Sequence, residues 1–78
     1  MNLDKWDVDA FREYAKPLKK LEEAFIKAGL PLTFHAFTDS FGNKLVKILH
    51  KNRSPKIVSI EGDSPAQAVK DVAAGVRL

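Results

Sequence analysis

From Phe11 onward, apolar residues recur at three- and four-residue steps: Phe11, Tyr14, Ala15, Leu18, Leu21, Phe25 and Ala28. That spacing lines one face of an α-helix. Pro17 interrupts the run and leaves two readings open. Either one helix kinks there, or a helix ends near Ala15 and a second begins with Pro17 in its first turn. Upstream, Asp4 or Asp7 is placed to cap the opening turn, where a carboxylate suits the positive end of the helix. Gly29 is a natural stop, and Pro31 prevents continuation.

The period then changes from helical to alternating. Three runs read as strands: "LTFHAFT" at 32–38, "KLVKILHK" at 44–51 and "KIVSIE" at 56–61. "DSFGN" and "NRSP" between them are turn chemistry, and such short connections make an antiparallel meander. Alternation places Phe34, Ala36, Val46, Ile48, Val58 and Ile60 on the face that meets the helices. The other face then carries His35, Phe37, Leu45, Lys47, Leu49 and Ile57, which is unusually apolar for a solvated surface. A slip of one residue in the first turn would exchange the two sets, so which face the helices cover stays open.

The chain closes with "EGDSPAQAVKDVAAGVRL". Ser64 is a helix cap, Pro65 fits the first helical position, and Gln67 falls where a capping box places its glutamine. Ala68, Val69, Val72, Ala73 and Val76 form a stripe of small residues that lets this helix lie close to a sheet. The expected fold is therefore α+β, in the order α-β-β-β-α. It is a three-stranded antiparallel meander with helices packed on one face, built as a single small domain over residues 1–78.

That order resembles the double-stranded-RNA-binding domain over the whole topology. At residue level the likeness lies in the glycine, the serine and the alanine-rich last helix of the closing segment. In that family, lysines in the first turn of the last helix contact phosphate across the major groove. The matching positions here are Pro65, Ala66 and Val69, and Glu61 and Asp63 precede them. The family's Gly-Pro-x-His loop is replaced by Ser40-Phe41-Gly42-Asn43, while Glu13 stands where an early polar residue would reach the minor groove. The resemblance implies the fold rather than the RNA grip, and the last helix is expected to close the core.

The composition, 45% hydrophobic and 29% charged, is that of a globular chain. With no cysteine, disulfides, thiolate catalysis and cysteine-ligated zinc are excluded. No apolar run approaches the roughly 20 residues of a membrane span. "MNLDKWDVDAF" is acidic and amphipathic, unlike a secretory leader, so a cytoplasmic location is expected. The net charge of +3 is unevenly spread: residues 30–60 carry five basic side chains against the single acidic Asp39. Those five are Lys44, Lys47, Lys51, Arg53 and Lys56. They form either a phosphate-attracting hairpin or a solvated one whose charges block unwanted strand pairing.

His35 and His50 could approach across the first hairpin near Asp39, but no nucleophile, oxyanion donor or further metal ligand accompanies them. Neither catalysis nor a metal or other cofactor is expected. Trp6, Phe11, Tyr14 and Phe25 sit at helical spacing and belong to a core. Phe41, at a turn tip, either projects outward or folds back onto Trp6 or a helix. The function expected is a non-catalytic protein-interaction module of the kind found among accessory proteins of phages and mobile elements. It is expected to be a homodimer that uses Phe37, Phe41, Leu45, Leu49 and Ile57. The alternative is a nucleic-acid-binding domain that uses Lys44, Lys47, Lys51, Arg53 and Lys56.

Overall fold

The structure, a computed structural model, describes residues 11–51 and 53–76. Asp4, Asp7, Trp6 and Asn52 lie outside the described residues. Helix α1 (Arg12–Lys27) is followed by strands β1 (Leu32–Thr38), β2 (Lys44–His50) and β3 (Arg53–Ser59) and by helix α2 (Pro65–Gly75). The strands form one antiparallel sheet in the order β1-β2-β3. The α-β-β-β-α meander expected from the sequence is the architecture observed.

Helix α1 runs through Pro17 as a single element. Proline at the sixth helical position forgoes only the bond it would have donated to Glu13, and burial of Leu18 just beyond it holds the helix together. The C-terminus closes as a Schellman motif. Leu30 N–H donates to Phe25 O and Gly29 N–H to Ile26 O, both at 3.0 Å, with Gly29 at φ 92°. Ala28, expected on the apolar face, is exposed at this cap.

Phe34, Ala36 and Leu32 from β1, Val46 and Ile48 from β2, and Ile60 beyond β3 are buried beneath Phe11 at the N-cap of α1, Leu18 within it, and Ala68 and Val72 of α2. The helices therefore cover the face that alternation selected, with α1 over β1 and α2 over β2 and β3. Val58 is half-buried at the margin. Contact between α2 and the sheet is close enough that a Cβ on Gly75 would lie 2.7 Å from Val58 Cγ2 and 3.1 Å from Ile48 Cδ1. Ser64 caps α2 by accepting from Gln67 N–H at 3.2 Å, and Pro65 begins the helix, as expected. The Gln67 side chain turns instead to Asp71, at 3.0 Å, so only half of the capping box forms.

The last two strands differ from their expected limits. Strand β2 ends at His50 rather than Lys51, and β3 spans Arg53–Ser59 rather than 56–61. The cause is a bulge: Ile48 pairs with Lys56 and His50 with Arg53, so Ser54 and Pro55 together oppose Leu49. Proline has no N–H to give to a ladder, and a bulge on an edge strand is where that loss is tolerated. "NRSP" is thus mostly strand, although its proline and serine suggest a turn.

One buried polar group joins α1 to the sheet. Glu22, only 6% exposed, accepts the Phe34 N–H at 2.7 Å. It lies on the same helical face as Leu18 and Phe25, four and three residues away. Replacing Glu22 with Ala strands that amide in an apolar site and should cost about 1–3 kcal/mol. Glu22→Gln keeps an acceptor and should cost distinctly less. Urea denaturation midpoints of the two variants will separate the lost hydrogen bond from simple loss of packing.

Candidate interaction surface

The loop between β1 and β2 is organised by Asp39. Its Oδ1 accepts from Phe41 N–H and Asn43 N–H, both at 2.9 Å, and its Oδ2 accepts from Asn43 Nδ2 at 3.2 Å. The Asp39 N–H donates to Asn43 O at 3.1 Å, and its carbonyl accepts from Gly42 N–H at 3.0 Å. Gly42 sits at φ 82°, a left-handed conformation that glycine adopts without strain. The donated bonds, chiefly that from Asn43 N–H, hold the Asp39 carboxyl below its usual value. The result is a loop fixed by its own backbone with Phe41 at its tip, 88% exposed. Of the two orientations open to Phe41, the structure takes the outward one.

The sheet face away from the helices continues from that loop. Its first row pairs Phe37 with Leu45, its second His35 with Lys47 and Lys47 with Ile57, and its third Thr33 with Leu49. Phe37 and Leu45 are half-buried, while Leu49 is 37% and Ile57 55% exposed. The His35 and Phe37 rings lie 5.9 Å apart at 41°. Phe37, Leu45, Leu49 and Ile57 thus share one face, with Phe41 at the end next to Phe37 and Leu45.

The five cations do not share one surface. Lys47 lies on the open face between His35 and Ile57. Lys44 sits at the far end of β2, where its N–H donates to Glu61 Oε1 at 2.9 Å. Lys51 is in the β2–β3 turn, while Arg53 and Lys56 pair with the inward-register residues His50 and Ile48. The two histidines are also divided. His35 pairs with Lys47 on the open face, whereas His50 pairs with Leu32 on the helix side, so they do not converge across the hairpin. Among the described residues, no group of three His, Asp or Glu side chains gathers to hold a metal. No described helix is long and apolar enough to cross a membrane.

An acidic pair under α2 was not singled out from the sequence. A hydrogen bond that Asp63 makes to Asp71 when protonated, together with burial and mutual repulsion, raises the Asp63 carboxyl above its usual value. The same bond, and the one from Gln67, lower Asp71. Tyr14 OH donates to the Asp63 carbonyl at 2.6 Å and ties this corner to α1. No family model, no curated protein sequence and no solved structure matches the chain.

Two pH dependences follow from these geometries. The Asp39 carboxyl is lowered, so its contribution is full above the unfolded value of 3.8 and is lost as pH falls through the lower folded value. Backbone ¹⁵N order parameters at Phe41 and Asn43 should therefore hold down to pH 3.8 and drop as the pH falls below it. Asp39→Ala should show the same loosening at neutral pH. Asp63 is raised, so its protonated form is the favoured partner of Asp71. That benefit exists in acid and is lost as pH rises through the folded value. Asp63→Asn donates to Asp71 at every pH and should stabilise the fold at neutral pH. The gain in thermal midpoint should shrink towards zero as pH falls below the usual carboxylate range.

Proposed function

We propose that the chain is a non-catalytic protein-interaction module that self-associates through its open sheet face. The observation that carries this reading is Phe41. An aromatic ring held in solvent by a loop with its own hydrogen-bond network loses little freedom on binding, and such rigid anchors dominate interface energetics. Beside it lie Phe37, Leu45, Leu49 and Ile57, while both helices are occupied on the opposite face.

A second copy suits the chemistry of this face. Both sheet edges resist strand addition, β1 through Glu22 and β3 through its bulge, Pro55, Arg53 and Lys56, so pairing of copies falls to the face. Three strands of seven residues give that face a footprint of roughly 23 by 14 Å in projection. A standard interface buries about 800 Å² per partner, so the sheet alone falls short and the Phe41 loop is needed to extend it. The complex is expected to be weak and dependent on concentration. Lys47 in the middle row has a stem long enough to lie over apolar surface while its ammonium stays in water. A small adaptor of this kind fits the accessory proteins of phages and mobile elements.

Sedimentation from micromolar to millimolar concentration should show a monomer–dimer equilibrium. Leu49→Lys and Phe41→Ser should each weaken it by about tenfold or more. Added salt should leave it unchanged or strengthen it by screening the two Lys47 ammonium groups, whereas a nucleic-acid complex weakens steeply. A monomer at every concentration would sink the proposal.

A further inference from the structure

The β2–β3 bulge has a chemical result. By simple alternation, Arg53 and Lys56 would face opposite sides of the sheet, since they stand three positions apart in the strand. The extra residue reverses that, and Arg53 and Lys56 both take the register of the helix side, opposite His50 and Ile48. There they line a half-open cleft of about 190 Å³ with His50 and Ser54, closed on the α2 side by Gly75 and Val76 and floored by Ile48.

We propose that this cleft binds a phosphate group carried by a small molecule, that is, inorganic phosphate or a phosphomonoester. None of the lining residues among those described is acidic. The C-terminal end of α2 contributes about half an elementary negative charge, against two full positive charges from Arg53 and Lys56. Part of that helix end is already satisfied, because Val76 N–H donates to the carbonyls of Val72 and Ala73 at 3.2 and 3.1 Å. The guanidinium offers a planar fork, the ammonium a mobile donor and Ser54 a hydroxyl, with the His50 ring forming part of the wall. Two cations and a hydroxyl on one strand suit the charge of a phosphate dianion and the spread of its tetrahedral oxygens better than the single charge and coplanar oxygens of a carboxylate. The space is large enough for one such group.

This site lies on the opposite side of the sheet from the face proposed for self-association, so the two readings are tested apart. The probe is inorganic phosphate titrated into the full ¹⁵N-labelled chain at constant ionic strength, with chloride as the control. Saturable amide shifts should be confined to the end of β2, the start of β3 and the end of α2. Because Arg53 and Lys56 are exposed, Arg53→Gln and Lys56→Gln should fold normally, which the remainder of each spectrum will verify. Each should weaken binding by at least about tenfold, while Lys47→Gln, on the other face, should leave it unchanged. A nucleoside monophosphate should bind the same residues at least as tightly. Shifts that do not saturate, that scatter over the surface, or that survive both variants would overturn the site. A duplex oligonucleotide that engages the cleft more tightly than the monophosphate would overturn its assignment to a small ligand.

Discussion

The hydrogen bond that Phe34 N–H donates to Glu22 joins an edge of the sheet to the inside of the molecule. Strand β1 has a neighbour on one side only, so alternate amides along its outer edge need partners. Water cannot serve beneath α1, and Glu22 does at 2.7 Å. The bond fixes the height and rotation of α1 along β1, and the rest follows from that placement. Leu18 and Phe11 reach the core from the same helical face, and Tyr14 reaches across to Asp63 at the start of α2. With both helices committed to this side, no described helix covers the opposite side of the sheet.

Much of this was legible in the sequence, because period is a strong signal. The change from steps of three and four to steps of two located α1 and the strands, and the limits of β1 agree with the run read as strand. Alternation assigned the helix-covered face correctly but narrowly, because Phe37, Leu45, Leu49 and Ile57 make the other set almost as apolar and only His35 and Lys47 mark it as the outer one. Ser64 and Pro65 marked the start of α2 because their chemistry at a helix entrance is specific.

What the period hid were departures from it. Glu22 scores as a solvated residue, although its position between Leu18 and Phe25 on the apolar stripe is a clue to burial. The bulge at Ser54 and Pro55 was invisible because a proline beside a serine reads equally well as a turn, and with it went the placement of Arg53 and Lys56 on one side. The five cations looked like one cluster along the chain but are divided in space, since neighbours in a strand point to opposite faces. Gly75 carries no sequence mark that distinguishes close packing from flexibility. Asp39 did carry a signal, as the first residue of an aspartate-led turn, though the number of bonds it accepts is a matter of three-dimensional geometry.

The loop that Asp39 closes draws its order from backbone groups and from Asn43, and nothing in it depends on the side chain at position 41. Phe41 contributes its amide to that network but leaves its ring outside it. Identity at the tip is therefore decoupled from folding. A substitution there alters what the loop touches without disturbing how the loop is made, so the position can drift among residues and be selected for contact alone. In that sense the tip behaves as an interchangeable head on a fixed mount, and a change of partner is one codon away.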